Sequence, residues 1–541
     1  MLQGRPVDWI AENKVLAGVA AFALVVVTVA VVGVVVRNGG DIAGSLTDID
    51  PGLMDATETA EDGPTTGTGS DDGDQSATGA DAPGAAGGSD DDSVSGGGVL
   101  PGTKAAPPCT PKAIEATGIT KDSVTIGQIV TDVNQLPQQL RPAHEGLKAY
   151  VDLVNASGGV CGRKVILEYR NDNLNVQQHI SDYQSLAGQV FAFVANESLL
   201  ESSDYDQSPP FEPRFTDDGD PVPDVGGLAF SYGRSQSSWH AGVIGSLSPV
   251  LVGGGQFRYF AGEAKAAGRP CRKGALVYLR EPTGASEDQA RLGEVAVRES
   301  WGAGLGQGNT ALYAANLQDP VPVYQALVQQ MIADGMNCAF SYADLGSNVN
   351  LVRAMANEGV WPPSRCTRGD ACFRIVYVPL AAYDARFIQD AGDAASDVRT
   401  FIPHLPVNET GHAAMKTYLA ALRTSFPDAT PSTFSIIGFT SGQMFVEALQ
   451  SCGAAPTRAC VMKHLRALKD FTSGGMLGGT TPFRTTKVTF GNFGTLNWKH
   501  IFNHTIALQV TERNGKVDFY RTRPDSGFFK DTVRVARGTA G

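Results

Sequence analysis

The chain has 541 residues and a formal net charge of -13, but that charge is not spread evenly along it. Between Arg37 and Ala105, fourteen acidic residues face only Arg37 and Lys104, so the remainder is close to neutral and carries no Lys/Arg-rich run. Nucleic-acid binding is thereby excluded, because neutralising phosphates supplies most of that affinity and needs a basic patch.

Residues 1–14 form a short tail ahead of Val15 to Val36, an uncharged run of 22 residues bracketed by Lys14 and Arg37. At about 1.5 Å per helical residue the run spans a hydrocarbon core of about 30 Å, so a transmembrane helix is expected at 15–36. A cleaved secretory signal calls for an apolar stretch of about 7–15 residues, and the greater length here favours an uncleaved anchor. No cysteine follows the run closely, which excludes a lipid-anchored form. Residues 37–108 are Gly, Ser, Thr, Ala, Asp and Pro with almost no aromatic or branched apolar side chains. Such a segment cannot offset its ordering entropy by burial and reads as a disordered acidic stalk. Its clusters Asp71-Asp72-Gly73-Asp74 and Asp90 to Asp92 lack the ligand spacing and closing Glu of a calcium loop.

All eight cysteines lie beyond the apolar run: Cys109, Cys161, Cys271, Cys338, Cys366, Cys372, Cys452 and Cys460. An even count without CxxC spacing suits disulfides, which places the large C-terminal part on the extracytoplasmic side of a single-pass anchor in the cell membrane.

From Ser123 onward, short β-rich runs alternate with helical periodicity, the pattern of βαβ units around a parallel sheet. Strands are predicted at Val124 to Val130, Lys164 to Tyr169 and Val190 to Val194, with a continuation at Gly226 to Phe230. Between them, Leu140, Ala143, Leu147, Tyr150, Val151 and Val154 mark one helix, which ends at Ser157-Gly158-Gly159, and Val176, Ile180, Tyr183 and Leu186 mark a second. A second set follows: strand Ala275 to Leu279, helix Ser286 to Trp301, strand Ala311 to Ala315, helix Tyr324 to Ile332, strand Cys338 to Tyr342, helix Val349 to Asn357 and strand Arg374 to Val378. Two α/β sets imply two lobes, 109–255 and 256–395. Residues 396–500 are expected to return to the first lobe, and 501–541 to close on the second with strands near Thr505 to Val510 and Lys516 to Tyr520. A ligand would sit between the lobes at the carboxyl ends of the strands.

The strand VTIGQIV, the stretch NASGGVCGRKVILEYRND, the strand GALVYL and the run DGMNCAFSYADLGSNVNLVRAMANEGVWP together resemble type I periplasmic solute-binding proteins of the branched-chain amino acid (Leu/Ile/Val-binding) ABC transporter family, over roughly residues 118 to 525. The resemblance implies a two-lobed α/β fold with three crossovers that closes on a small polar ligand, an amino acid or a relative of one, and passes it to an ABC permease. It implies no catalysis and no cofactor. It also implies a ligand site near Asn196, Glu197, Ser198, Ser231 and Tyr232 of the first lobe, with Glu281, Thr283, Tyr342, Asp344 and Tyr383 from the second. The alternative on the same fold is a ligand-sensing or partner-binding module. Eight cysteines allow on the order of a hundred pairings; the layout implied by the resemblance suggests Cys109–Cys161, Cys271–Cys338, Cys366–Cys372 and Cys452–Cys460.

The sequence has no GxSxG, HExxH or GxxxxGK(S/T) motif, and the glycine-rich run Gly302 to Gly308 precedes a predicted strand instead of opening a helix. His500 and His504 have a metal-like spacing, but the surrounding sequence is β-like and a third ligand is missing, so no metal is expected.

Overall fold

The computed structural model describes residues 109–114, 116–133, 140–206, 212–243, 251–253, 255–268, 270–280, 285–300, 309–317, 319–468, 471–478, 502–522 and 529–535. The expected membrane helix and stalk, Glu281 and Thr283, the run Gly302 to Gly308, and His500 lie outside them. Among the described residues no helix is long and apolar enough to cross a membrane.

The first lobe runs β1 (Ser123–Val130), α1 (Arg141–Ala156), β2 (Lys164–Asn171), α2 (Val176–Ala187), β3 (Ala192–Val194), β4 (Thr216–Asp217), β5 (Asp220–Pro221), β6 (Asp224–Val225), α3 (Tyr232–Gln236) and β7 (His240–Ala241). Its sheet has the order β2-β1-β3-β6-β7 with every pairing parallel, while β4 and β5 form a separate antiparallel hairpin. A parallel sheet is covered on both faces, and Ile126, Ile129 and Val130 of β1 are accordingly buried.

The second lobe runs β8 (Leu251–Gly253), α4 (Gly255–Ala266), β9 (Gly274–Arg280), α5 (Ala285–Ser300), β10 (Thr310–Asn316), α6 (Val321–Ala333), β11 (Cys338–Ser341), α7 (Leu345–Asn357), β12 (Ile375–Tyr377), α8 (Ala385–Ala391) and β13 (Arg399–Ile402). The chain then contributes α9 (Ala413–Ser425), α10 (Thr433–Ser451) and α11 (Arg458–Ala467) before β14 (Phe502–Arg513), β15 (Lys516–Arg521) and β16 (Phe529–Val535). The second sheet has the order β10-β9-β11-β12-β13-β14-β16-β8, with β15 on β14. It is parallel from β10 to β13 and antiparallel beyond.

The structure shifts three expected boundaries. The β8 strand joins the second sheet, so the first crossover lies before Leu251 and not after residue 255. The β13 strand also belongs to the second sheet, because Ile402 pairs with Ile506, and the return to the first lobe therefore starts beyond Ile402 and not at 396. The strand expected from Gly226 to Phe230 ends instead at Val225. Gly226 and Gly227 take φ of +81° and +68°, and a Cβ on Gly226 would overlap the side chain of Ser441 on α10. The glycines let the backbone dock on that helix, and Gly227 N–H donates to Ser441 Oγ at 3.0 Å.

The first lobe is completed by α10 lying against α1. Both helices present glycine at the crossing: a Cβ on Gly146 would overlap the Ser435 carbonyl, and one on Gly438 the Ala143 carbonyl. Dispersion between these backbones replaces side-chain interdigitation.

The return segment after β13 and the segment ahead of the last strands run side by side. His404 pairs with Leu477, and Leu405 N–H donates to Met476 O at 2.8 Å. His404 is fully buried, donates from Nδ1 to Leu405 O at 2.8 Å, and has Nε2 3.0 Å from Thr433 Oγ1. Burial lowers its pKa to about 4, so the ring is neutral and Nε2 accepts from the threonine. Disulfides join Cys109 to Cys161, Cys271 to Cys338, Cys366 to Cys372 and Cys452 to Cys460, with Cα–Cα separations of 5.3, 5.8, 5.8 and 6.0 Å, the pairs that the family layout suggests. His464 lies close to the last pair, but bonded sulfurs offer no thiolate to a metal.

Candidate functional site

Because β1–β3, β6 and β7 of the first lobe and β9–β13 of the second pair in parallel, their carboxyl ends gather at one edge of each sheet. In the first lobe these ends lead into Thr131–Asp132, Asp172, Ala195–Leu199 and Gly226–Ser231; in the second, into Tyr342–Asp344 and Val378–Tyr383. The lobes meet where the backbone of Asp384 pairs with that of Ser432 and where the charge of Arg386 acts on Glu145 of α1.

In the first lobe the polar groups of these loops are bound to one another beneath the surface. Asn196 is buried, and its Oδ1 accepts from Ile129 N–H at 2.8 Å, which ties β3's end to β1. Ser198 donates to Asp172 Oδ2 at 2.5 Å and also accepts from Leu200 N–H at 3.0 Å. Asp172 in turn lies 3.2 Å from His179 Nδ1, and His179 Nε2 is 2.8 Å from Asp204. Burial opposes a charge on His179, but its hydrogen bonds to Asp172 and Asp204 outweigh that and lift its pKa to about 9. The imidazolium is therefore fixed between two carboxylates.

A second buried set centres on Arg234. Its guanidinium donates to Glu201 Oε2 at 2.5 Å, to Asp224 Oδ2 at 2.7 Å and Oδ1 at 3.0 Å, and to Leu228 O at 2.8 Å. Burial pushes Glu201 up to about 7 even against Arg234. Asp224 is held well below the usual carboxylate range, because Arg234 and His240 overcome its burial. Ser231 caps α3, with its Oγ accepting from Arg234 N–H at 3.3 Å, and its own N–H donates to Glu201 Oε1 at 2.6 Å. Tyr232 is the first residue of α3. Glu197 accepts from Leu228 N–H at 2.8 Å, and burial raises its pKa well above the usual value.

Three residues expected in the second lobe are described. Tyr342 packs toward Phe340 and Tyr377 on the α5 side of the sheet. Its buried hydroxyl has no hydrogen-bond partner among the described residues, and a Cβ on Gly293 of α5 would overlap it. Asp344 caps α7 through Oδ1, which accepts from Gly346 N–H at 2.9 Å and Ser347 N–H at 3.2 Å; its Oδ2 is buried without a partner. Tyr383 is buried, its hydroxyl accepts from Val407 N–H at 2.8 Å, and its ring packs on Phe519. The structure thus brings Asn196, Ser198 and Ser231 into the first-lobe loops and Asp344 and Tyr383 to the second-lobe strand ends, while Tyr342 lies on the opposite side of its sheet from α7.

Sequence reasoning did not single out Arg234, Asp224, Glu201, His179 or Asp204. The usable signal was Ser231 three residues ahead of Arg234, a helix cap shortly after the acid-rich stretch that ends at Asp224. A pocket of about 440 Å³ also lies at the junction, lined among others by Tyr383, Asp384, Val407, Arg423 and Phe519.

The fold has many structural relatives. A fatty acid ABC transporter substrate-binding protein from Thermomonospora curvata superposes with a TM-score of 0.56 at 14% identity, covering 76% of this chain and 94% of that one. A solute-binding protein of an ABC transporter from R. palustris, in complex with 4-hydroxybenzoate, gives 0.53 at 16%, covering 76% and 98%. A leucine binding protein from Thermotoga maritima gives 0.53 at 12%, covering 73% and 97%. Among curated proteins, no sequence match to this chain is found. Residues 123–499 match the periplasmic binding protein family, and they take in the first lobe's opening strand, the whole parallel sheet of the second and the returning helices. The chain belongs to the periplasmic binding protein family.

Proposed function

We propose that the chain is an extracytoplasmic solute-binding protein, held to the membrane by residues 15–36, that captures a small polar molecule between its lobes for an ABC permease. An amino acid or a close relative is the ligand class it favours. The observation that carries this reading is the pairing of His404–Leu405 with Met476–Leu477, which holds two connecting segments between the α/β lobes side by side, so that the lobes can close about them. Four disulfides suit an oxidising compartment. The stalk and anchor would keep the binder near its permease and raise its effective concentration there.

The test is a thermal-shift screen of the purified full chain against amino acids, short amides, small peptides, polyols and aromatic acids. A ligand that binds only the folded state raises the melting temperature by mass action. A rise with one class, confirmed by calorimetry, supports capture; no rise with any class would remove the solute-binding reading in favour of a partner-binding role.

A further inference from the structure

We propose that Cys452, Cys460 and His464 form a latent zinc site, which opens when a dithiol reductant cleaves the Cys452–Cys460 bond. The two sulfurs and a ring nitrogen of His464 lie within 4.8 Å of one another, and all three side chains are half-buried, within reach of solvent. Among the described residues no other three His, Cys, Asp or Glu side chains gather closely enough to hold a metal ion. The site sits at the turn between α10 and α11. Arg458 at the start of α11 donates to Val190 O and Phe191 O, just ahead of β3, so the turn lies at the sheet edge opposite the strand ends that frame the solute cleft.

Cys452 ends α10 as its C-cap, while Cys460 and His464 are four residues apart on α11 and so share one of its faces. Cys460 is in the first turn of its helix, where the free N–H groups favour a negative sulfur. The turn does not depend on the sulfur–sulfur bond. Thr457 Oγ1 accepts from Cys460 N–H at 3.1 Å, and the Ala454 carbonyl accepts from Arg163 Nη2 at 2.8 Å and from Lys112 N–H at 3.2 Å. Val461, Met462 and Leu465 bury the inner face of α11. The bond itself spans a sequence separation of only 8, and short loops gain least from closure. The ligands are therefore held in place from outside the bond and stay together when it breaks.

In the opening step a dithiol passes two electrons and two protons to the disulfide: its own sulfurs join, and Cys452 and Cys460 become thiols. Binding of Zn²⁺ expels both thiol protons and leaves two thiolates and a neutral imidazole as ligands. With Zn–S bonds of about 2.3 Å the sulfurs stand roughly 3.8 Å apart in a tetrahedral site, which the Cα–Cα separation of 6.0 Å allows. Two thiolates and an imidazole suit zinc and not the hard cations magnesium or calcium. The metal restores the link between α10 and α11 that reduction removes, and its fourth position stays open to water.

The experiment reduces the full chain with dithiothreitol, removes the reagent without air, and titrates with Co²⁺, whose thiolate charge-transfer absorption reports bound sulfur, followed by Zn²⁺ in competition. The reduced chain is expected to show the band and to lose it to Zn²⁺, and the oxidised chain to show none. His464→Ala should weaken Zn²⁺ by at least about tenfold, since it removes one of three protein ligands. Replacing both cysteines, Cys452→Ser with Cys460→Ser, should abolish the band while the oxidised variant melts near the unaltered chain. The proposal is overturned if the reduced chain gives no band, if the oxidised chain gives the same one, if the band survives the double serine variant, or if His464→Ala binds Zn²⁺ equally well. Loss of the far-ultraviolet dichroism on reduction, or a collapse of the double variant, would overturn it too, since the turn would then need the bond. None of these changes touches the strand-end loops, so solute capture in the thermal-shift screen stands or falls separately.

Discussion

The strand ends of the two lobes solve the same geometric problem with different chemistry. In the first lobe, Arg234, Asp224, Glu201, His179, Asp172 and Asp204 are buried and bound to one another, so its loops are fixed by ions out of contact with water. Among the described strand ends of the second lobe the chemistry is sparser: Pro379, Leu380 and Ala381 follow β12, Asp384 just beyond them pairs with Arg386 of its own helix, and Asp344 is tied to the start of its own helix. Buried ion pairs are weak evidence for net stability, but breaking one is costly because it strands the partner's charge. The first lobe should therefore respond to substitution mainly in stability, and the second mainly in ligand affinity.

The strongest way to break this comparison is Arg234→Ala, which leaves Glu201 and Asp224 buried without their cation. The loss should be about 3–5 kcal/mol, read as a lower urea midpoint. A loss below about 1 kcal/mol would mean that water enters the site and that the first lobe is no more rigidly tied than the second.

The next effect is a pH dependence. His179 has a folded pKa near 9, above its ordinary value, so its contribution is fully present below about pH 6.5 and is lost as the pH rises through 9. Glu201 adds to the same slope: burial disfavours its ionised form, and the cost appears as the pH rises from about 4.5 through 7. On the acid side, His144 and His404 are held near 4 by burial, and the stability they confer falls away as the pH drops below about 6.5. The melting temperature should therefore fall between pH 6.5 and 9, by the equivalent of about 3 kcal/mol for His179. His179→Gln should flatten that limb and leave the acid limb in place; an unchanged alkaline limb would assign the slope to other groups.

A smaller loss follows from Gly146→Ala, since its Cβ would meet the Ser435 carbonyl where α1 and α10 cross. Overpacking of this kind costs about 1–3 kcal/mol, measurable by chemical denaturation. An unchanged midpoint would show that the two helices can separate freely.

The contrast between the lobes also explains what the sequence made legible. Strands buried on both faces read as apolar runs, so β1, β9 and β11 stand out, and the capped helices between them follow from period and glycine, as at Gly159, whose Cβ would overlap the Arg163 carbonyl. The polar networks are not legible in this way. Asp172 and Asp204 flank His179 across 7 and 25 residues, and Arg234 reaches Glu201 across 33, distances that only the fold closes. In the sequence these residues look like the solvated groups of a long loop, and Asn196 and Ser198 look like ligand hydroxyls and amides although their side chains are engaged within the lobe. The junction pocket is less legible still, because Tyr383, Arg423 and Phe519 come from three remote segments.

Asp344 offers the smallest expected stability effect and the sharpest separation of roles. Its Oδ1 caps α7, while its Oδ2 is buried without a partner among the described residues, and burial raises its carboxyl pKa. Asparagine caps a helix about as well as aspartate, whereas alanine loses about 1 kcal/mol of capping. Asp344→Ala should therefore lower the unfolding free energy by about that amount, and Asp344→Asn should leave it nearly unchanged. If Oδ2 receives the ammonium of an amino acid drawn into the cleft, both variants weaken that ligand, because the neutral amide cannot pair a cation as the carboxylate does. Equal affinity in the chain with Asp344 and in the Asp344→Asn variant would confine the residue to its cap, and the second lobe would then meet its ligand through apolar contact and backbone groups alone.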